Sequence, residues 1–269
     1  MLFKTVSTLA MTDGPDALGA AITCAEAWSA HLNVTCLSHA TVSAEAFTYP
    51  EMGMAQAVMT RNIDEALEKA ETEIRARLAP QDFGWSVNTV ADTRPDLMRS
   101  MTRSERFSDL MVLPSPQSAP AAGQIISASL NEMHLPILVI PEGDIRDASF
   151  RKIMIAWDES DVALAAVRAA IPLLDGADRI EIVSVDPENG TVGHDLAVML
   201  DRKGIDADVT PVPLEGKAIA DVMLEHARET GVDLIVMGAY GHRRLRDMIL
   251  GGVTKQMLAK SQMPLLIAR

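Results

Sequence analysis

The sequence predicts an α/β protein made of two tandem domains, each built on a doubly wound parallel sheet, and three observations lead to this prediction. The chain has 269 residues, which suits two domains because single domains cluster at about 100 to 150 residues. Short apolar runs typical of buried parallel strands alternate with segments of helical periodicity. The order of these segments in the first half recurs in the second, so we place the domains at residues 1–146 and 147–269.

The repeat is clearest in two pairs of apolar runs. Residues 136–141, PILVIP, correspond to residues 264–268, PLLIA, and each run suits the last strand of a sheet. Ahead of them, residues 109–114, DLMVLP, correspond to residues 233–238, DLIVMG. The matched type and order favour a duplicated domain, and the polar stretch at residues 142–149 between the halves is typical of a linker.

The beginnings of the halves also correspond. Residues 13–18, DGPDAL, resemble residues 158–164, DESDVAL, and each segment follows a strand-like run and opens a helix-like one. The second aspartate of the later segment is Asp161. Because Asp is common at helix N-termini, we expect Asp161 to cap the helix that follows.

Within each half the pattern resolves into strands and helices. For the second half we predict strands at residues 152–156, 180–185 and 209–214, and helices at residues 163–174, 218–230 and 255–260. Gly231 ends the second of these helices, as glycine often does. In the first half a helix at residues 62–78 follows an excursion at residues 40–59, for which the sequence leaves both a lid and a packing arm open.

Composition and charge exclude several classes of function. The formal net charge of −13 argues against nucleic-acid binding, because such binding draws most of its affinity from Lys and Arg on phosphates. Cys24 and Cys36 have neither redox nor metal spacing, so we expect both to fill the core and the protein to reside in a reducing cytoplasm. No apolar run reaches the roughly 18 residues that a membrane-spanning helix needs, and the first residues lack an export signal. We therefore expect no membrane partner.

A glycine-bracketed loop in the second half carries the chemistry. Gly238 and Gly241 follow the fourth strand, nine residues intervene, and Gly251 and Gly252 precede the last helix. Backbone N–H groups and the positive end of a helix dipole favour an anion there, and glycine lets a phosphate approach closely. The spacing is neither GxxxxGK[ST] nor a GxGxxG after a first strand. Taken alone, the loop predicts either a phosphate site or a tight connection.

This loop resembles the nucleotide loop of the universal stress protein family, Gly-x2-Gly-x9-Gly-[Ser/Thr], with every glycine in register. The resemblance extends to Asp158 after the first strand of the half, to residues 215–216 after the third, and to the strand at residues 233–238. It implies a Rossmann-like fold of the adenine-nucleotide-binding type and ATP, with or without Mg²⁺, as the ligand. By position, the implied binding residues are Ala156, Asp158, Val183, Gly238, Gly241, Gly251, Gly252, Val253 and Thr254.

Both halves depart from the family pattern, to different degrees. Gly252 stands where the family has Ser or Thr, so one hydroxyl for a phosphate oxygen is missing; such a hydrogen bond is worth about 0.5 to 1.5 kcal/mol, and we expect weaker binding rather than none. In the first half Pro114 stands at the place of Gly238, Gln117 at that of Gly241 and Gln124 at that of Gly252. Only Gly123 matches a glycine of the motif. We expect no family-type ATP site there.

The resemblance implies a stress-response protein that binds ATP in its second domain and acts as a nucleotide-dependent regulator or interaction module. We expect no catalytic residue and no metal site, because no candidate general base stands beside the loop and the six histidines lack metal-ligand spacing. Two alternatives stay open. One is a slow ATPase or self-phosphorylating protein that uses Thr254 and the arginines within residues 243–246. The other is a structural or partner-binding protein with a vestigial loop.

The resemblance also bears on assembly. Single-domain members of the family pair between chains, which implies that the two halves of this chain form an internal pseudo-dimer. A homodimer of the whole chain and an unidentified protein partner are compatible with the sequence, but no feature requires either of them.

Overall fold

The computed structural model of the protein shows an α/β fold with helices on both faces of one mostly parallel sheet. It describes residues 2–11, 16–37, 53–90, 105–120, 122–141, 145–187, 191–239 and 252–269, and for residues 53–63 the backbone alone. Within these ranges no helix combines the length and the apolar character that crossing a membrane requires.

The first half follows the predicted plan, with one longer helix. Its strands are β1 (Thr5–Met11), β2 (His31–Leu37), β3 (Trp85–Val90), β4 (Leu110–Pro114) and β5 (Ile137–Ile140). Its helices within the described residues are α1 (Leu18–Trp28), α2 (Gly53–Leu78) and α3 (Ala122–Ala128), which a π-helical turn at Ser129–Met133 extends. The helix predicted at residues 62–78 therefore begins at Gly53 and includes the end of the predicted excursion, whose earlier part lies outside the described residues.

The second half confirms the predicted order of elements. Its strands are β6 (Lys152–Ala156), β7 (Arg179–Val185), β8 (Asp208–Val212), β9 (Leu234–Gly238) and β10 (Leu265–Ala268). Its helices are α4 (Asp161–Leu174), α5 (His194–Asp201), α6 (Ile219–Thr230) and α7 (Gly252–Lys260). Both α4 and α7 begin earlier than predicted, and α5 has no counterpart among the predicted elements.

The described strands form one ten-stranded sheet in the order β3-β2-β1-β4-β5-β10-β9-β6-β7-β8. Read from its two edges, the sheet presents the five strands of each half in the same order. Neighbouring strands are parallel within each half. Across the junction β5 and β10 pair antiparallel, with Leu138 opposite Leu266. The halves thus pack against each other in a continuous sheet, as the predicted internal pairing requires, while the domain boundary at residue 146 stays a prediction.

The segment that joins the halves is pinned to the first one. Ala148 is fully buried, and its carbonyl accepts a hydrogen bond of 3.1 Å from the indole N–H of Trp28 in α1. The Trp28 ring in turn packs against Phe3, with 5.1 Å between the ring centroids. The stretch predicted as a polar linker is therefore partly built into the core.

Two clusters of buried apolar residues cover the two faces of the sheet. One includes buried residues of α1, α2, α4 and α5, such as Leu18 and Val167. The other includes residues of α3, α6 and α7, such as Ile126 and Met257. Because helices cover both faces, the strands are buried on both sides, which explains their nearly continuous apolar sequences.

A pair of aspartates provides structural support for the duplication. The carboxylate of Asp109, just before β4, accepts hydrogen bonds of 2.7 and 2.9 Å from the N–H groups of Lys4 and Thr5. The carboxylate of Asp233, just before β9, accepts bonds of 2.8 and 3.0 Å from the N–H groups of Arg151 and Lys152. In both halves one aspartate thus fixes the start of the first strand against the start of the fourth.

Both cysteines lie in the core, as predicted. Cys24 in α1 and Cys36 in β2 are fully buried. Burial raises the pKa of the Cys24 thiol, and it raises that of Cys36 to about 11. Neither thiol is therefore disposed to form the reactive thiolate near neutral pH.

Candidate functional site

The sheet brings three of the predicted site residues to one edge. In β6 Ala156 is the last residue, and the register places it beside Val183 of β7 and Met237 of β9. Gly238 follows Met237 and ends β9. The chain continues from β6 into α4 on one face of the sheet and from β9 into α7 on the other face. In open α/β sheets ligands bind in the crevice outside the carboxyl ends of the strands at such a switch point.

Ala156 and Val183 lie side by side near this crevice and present no polar side chain. Ala156 is 8% exposed and Val183 is fully buried. The Val183 carbonyl accepts a hydrogen bond of 2.9 Å from the N–H of Trp157. The Ser184 hydroxyl donates to the Trp157 carbonyl at 3.0 Å. Both bonds hold the chain firmly where it leaves β6.

Asp158 lies exposed at the rim and organises the turn into α4. Its Oδ1 accepts hydrogen bonds from the N–H and the hydroxyl of Ser160, at 3.1 and 2.5 Å. Ser160 has an extended backbone, and its own hydroxyl oxygen accepts the N–H of Ala163 at 3.2 Å. Ser160 therefore caps the helix. The prediction that Asp161 caps it is wrong, because Asp161 is already the first helical residue and Ser160 holds the extended conformation that a cap needs.

Gly238 is required by the close approach of α4 to β9. A Cβ at this position would lie 2.5 Å from the backbone nitrogen of Ala163 and 2.6 Å from the carbonyl carbon of Val162. No side chain fits at such distances unless the helix moves. The glycine thus places the N-terminal turn of α4 directly beside the carboxyl end of β9.

The start of α7 contributes the other described part of the site. Gly252, its first residue, is exposed, and Val253 is half-buried. Thr254 is only 4% exposed and lies on the core-facing side of the helix with Met257 and Leu258. Its N–H belongs to the first turn of the helix, and its side chain is buried.

The middle of the loop falls outside the described residues. Gly241 and Gly251 both lie there, as do the arginines of residues 243–246. The site is thus described at its two ends, Gly238 and Gly252, and at the carboxyl ends of β6, β7 and β9.

The structure also shows where the first half differs. Pro114 pairs with Ile140 in the first half as Gly238 pairs with Ala268 in the second, so the two residues are structurally equivalent. This equivalence agrees with the correspondence predicted from the sequence. The first half therefore has a proline at the position where the second half has the glycine that allows α4 to approach β9.

The loop after Pro114 uses its N–H groups within itself. The N–H groups of Ser118 and Ala119 donate to the Ser115 carbonyl at 3.1 and 2.9 Å. The N–H of Gln117 donates to the Ser115 hydroxyl at 3.2 Å. An anion would have to compete with each of these bonds, which supports the prediction that the first half holds no family-type ATP site.

Sequence reasoning missed one glycine near the crevice. Gly193 precedes α5 with φ of +92°, and a Cβ there would lie 3.0 Å from Ile182 Cγ2 and 3.2 Å from Val209 Cγ1. The left-handed backbone and the tight space both favour glycine. The turn-like run Asn189-Gly190-Thr191-Val192-Gly193 after the second strand is the signal that could have indicated it.

Metal-binding side chains are not gathered at the described part of this site. Among the described residues no group of three His, Cys, Asp or Glu side chains is arranged to hold a metal ion. A divalent cation that accompanies a nucleotide would therefore have to be held largely by the phosphates, as Mg²⁺ often is.

Comparison with known proteins associates the second half with one family. Residues 149–269 match the model of the Universal stress protein family. The Stress response protein NhaX of Bacillus subtilis is 31% identical over 98 residues, which make up 36% of this chain and 57% of that protein. The chain thus spans little more than half the length of this relative. The Universal stress protein YxiE of the same bacterium is 29% identical over 147 residues, or 45% of this chain and 99% of that protein.

A solved structure is similar over both halves. The crystal structure of a universal stress protein from Archaeoglobus fulgidus matches 98% of this chain and 98% of its own, with a TM-score of 0.67 and 15% sequence identity. At this level of identity the similarity shows the fold alone. It shows that the arrangement of both halves in one chain occurs elsewhere.

Proposed function

Residues 149–269 belong to the Universal stress protein family, and on that premise we propose that the second domain binds ATP or another adenine nucleotide. The chain would then act in a stress response as a nucleotide-dependent regulator or interaction module, without rapid turnover. We place this role in the cytoplasm, in keeping with two buried, unpaired cysteines.

The observation that carries the proposal is the position of the glycines. Gly238 ends β9 against the N-terminal turn of α4, and Gly252 opens α7 in an exposed position. Helix N-termini offer unpaired N–H groups and a positive dipole end to an anion. Phosphates lying between these points would be bound mainly by backbone groups, which suits a loop whose spacing is defined by glycines.

The crevice suits the nucleoside end of the ligand. Ala156 and Val183 supply an apolar wall for adenine at the carboxyl ends of β6 and β7. Asp158 lies exposed beside it and uses Oδ1 for Ser160, so that Oδ2 can accept a ribose hydroxyl. The proposed ligand would thus run from apolar residues near the ends of β6 and β7 to backbone donors at the start of α7.

Two features favour binding over catalysis. Asp158, the carboxylate that follows β6, would lie at the ribose and not at the γ-phosphate, where a general base would have to act. Thr254 was the candidate acceptor for self-phosphorylation, but its side chain is buried in the core-facing side of α7. This burial disfavours the self-phosphorylation hypothesis.

Calorimetric titration of the purified chain with ATP, AMP and GTP, with and without Mg²⁺, tests the proposal. We expect ATP to bind with a stoichiometry near one per chain, since the first half uses its loop N–H groups internally. Gly241→Val should remove binding by filling the approach of a phosphate. Gly176→Val serves as a matched control, because a Cβ at Gly176 meets only the Leu173 carbonyl oxygen, at 3.8 Å.

Three outcomes would contradict parts of the proposal. Absence of binding heat, together with no nucleotide in native mass spectra of gently purified protein, would favour the structural or partner-binding alternative. Turnover of ATP at ordinary enzyme rates would favour the ATPase alternative. A stoichiometry near two would show that the first half binds nucleotide as well.

A further inference from the structure

The C-terminal end of α7 lies at the junction between the halves. The last four carbonyl groups of an α-helix have no N–H partner within the helix. In α7 the Met257 carbonyl accepts the N–H of Ser261 at 2.9 Å, which closes one further turn. The carbonyl groups of Leu258 and Ser261 receive donors from the other half of the chain.

Those donors come from the first half's altered loop. The Ser115 hydroxyl donates to the Leu258 carbonyl at 3.2 Å. The Gln117 side-chain amide donates to the same carbonyl and to that of Ser261, both at 3.4 Å. Ser115 is 3% exposed, so its hydroxyl needs a protein partner. Gln117 is one of the residues that replaced a glycine of the family motif.

This contact has no described counterpart on the other side of the junction. The N–H of Ala239 donates to the carbonyl of Ala268, the last residue of β10. In the same way the N–H of Ser115 donates to the carbonyl of Ile140, the last residue of β5. Ala239 is therefore the equivalent of Ser115. Its methyl group cannot donate a hydrogen bond. The helical segment that begins with α3 ends differently, in a π-helical turn and a left-handed His134 whose N–H donates to the Ser129 carbonyl.

We propose that Ser115 and Gln117 form an inter-domain clamp that positions α7 for the nucleotide at its opposite end. The inference rests on the proposed function. α7 is one short helix of nine residues, with Gly252 at its start and Leu258 held by the clamp near its end. Because a short helix moves as a rigid element, a contact at one end affects the placement of the other. Ser115 and Gln117 are thus positioning residues that do not touch the ligand.

The clamp couples the two halves in both directions. If fixing the end of α7 favours phosphate binding at its start, then nucleotide binding must stabilise the clamp by the same free energy. The first half would then sense the nucleotide state of the second, although its own loop binds none.

Calorimetry and hydrogen exchange on the full chain test the inference. For the double variant Ser115→Ala with Gln117→Ala, we expect ATP affinity to fall about three- to tenfold, as for the loss of one or two modest hydrogen bonds. In the ligand-free protein the amides of residues 252–263 should exchange faster than in the parent. Ser118→Ala is the matched control, since the Ser118 hydroxyl donates only to the Ser115 carbonyl within the loop.

Single variants at Gln117 separate positioning from a general loss of packing. Gln117→Glu replaces a donor by a carboxylate beside the negative end of the helix dipole and should weaken ATP binding more than Gln117→Ala. Gln117→Lys keeps a donor and places a positive charge there, so it should retain binding close to that of the parent. This order follows the hydrogen-bond donor and the charge of the side chain, and a loss of packing alone would not produce it.

The outcomes distinguish the inference from the proposed function. If the parent binds ATP and the double variant binds it equally well, the clamp is overturned while the proposed function stands. If the parent binds no ATP, the proposed function fails and the positioning role fails with it. Equal exchange of α7 in the parent and the double variant would also overturn the clamp.

Discussion

The two halves end their fourth strands with different residues, and the difference changes what the following loop does. Gly238 lets the first turn of α4 lie against β9, within 2.5 Å of where a Cβ would stand. At the equivalent position Pro114 ends β4, and α1 packs mainly on β1 and β2. One loop is therefore bordered by a helix N-terminus, while the other closes on its own N–H groups.

The comparison teaches that a position which carries a glycine in one domain can carry an inter-domain contact in its duplicate. Gln117 stands where the family motif has a glycine, and its amide reaches the end of α7 in the other half. The shared features are those that build the sheet, such as the aspartates before β4 and β9. The features that differ lie at the carboxyl ends of the strands, where function resides in α/β folds.

The largest expected effect concerns Gly238. Gly238→Ala should lower the free energy of unfolding by about 2 to 3 kcal/mol, as overpacking does, because the new Cβ meets backbone atoms of α4 that cannot rotate away. Chemical denaturation of the full chain measures this. Gly252→Ala is the control, since a Cβ there meets no atom of the described residues within 4 Å. Equal stability of the two variants would show that α4 can withdraw from β9 at little cost.

The aspartate pair tests how alike the halves are. Asp109→Ala and Asp233→Ala each remove two hydrogen bonds to the start of a first strand. Hydrogen bonds to charged groups contribute more than neutral ones, so each variant should lose about 1 to 2 kcal/mol, and the two losses should be similar. Thermal unfolding at neutral pH provides the measurement. If only one variant loses stability, the two aspartates contribute unequally to the stability of their halves.

A buried glutamate provides a pH-dependent test. Glu105 in the first half accepts a hydrogen bond of 2.6 Å from Thr35, and Glu181 in the second accepts one of 2.6 Å from Thr210. Glu181 also lies 3.1 Å from His226 Nε2. Burial by itself raises the pKa of the Glu181 carboxyl, but the contacts with Thr210 and His226 outweigh it and hold that pKa below the ordinary 4.5.

The sign of the effect follows from the lowered pKa. Ionised Glu181 stabilises the fold above pH 4.5, and this contribution is lost as the pH falls through the folded-state pKa. Glu181→Gln should therefore cost about 1 kcal/mol near pH 7 and show a smaller loss of stability on acidification. Denaturation midpoints between pH 7 and 3 measure it, with Glu229→Gln at an exposed position of α6 as the control. If Glu181→Gln loses as much stability on acidification as the parent, the Glu181 carboxyl is not the source of the pH dependence.

The smallest expected effect concerns the hydroxyl missing from the second loop. Gly252 is exposed, and its φ lies outside the left-handed region, so Ser fits without strain. Gly252→Ser should strengthen ATP binding by about 1 kcal/mol, partly by a hydrogen bond to phosphate and partly by a stiffer free loop. Gly252→Ala stiffens the free loop but adds no hydroxyl. The difference in ATP-binding free energy between the Ser and Ala variants, measured by calorimetry, therefore gives the contribution of the hydroxyl. Equal binding of the Ser and Ala variants would place the phosphates elsewhere and remove Val253 and Thr254 from the site.

Much of the fold could be predicted because it depends on local pattern. Apolar runs and helical periodicity indicated the strands of the second half and the last two strands of the first, and the aligned runs at residues 109–114 and 233–238 indicated the repeat. α5 was missed because its eight residues carry a short and weak signal. The N-cap was misassigned because Ser160 and Asp161 are both good capping residues, and only the backbone conformation distinguishes them.

The sequence by itself determined the repeated order of the elements apart from α5, the register of the glycines and the asymmetry between the two loops. Tertiary structure decided the antiparallel pairing of β5 with β10, the burial of the Thr254 side chain and the contact of Gln117 with α7. It also showed that Gly238 is needed for helix packing, whatever it does for a phosphate. The physical reason is that periodicity and glycine spacing are properties of neighbouring residues. Strand pairing across a junction, the buried side of a helix and a hydrogen bond across 141 residues of chain depend on which surfaces meet in the folded protein.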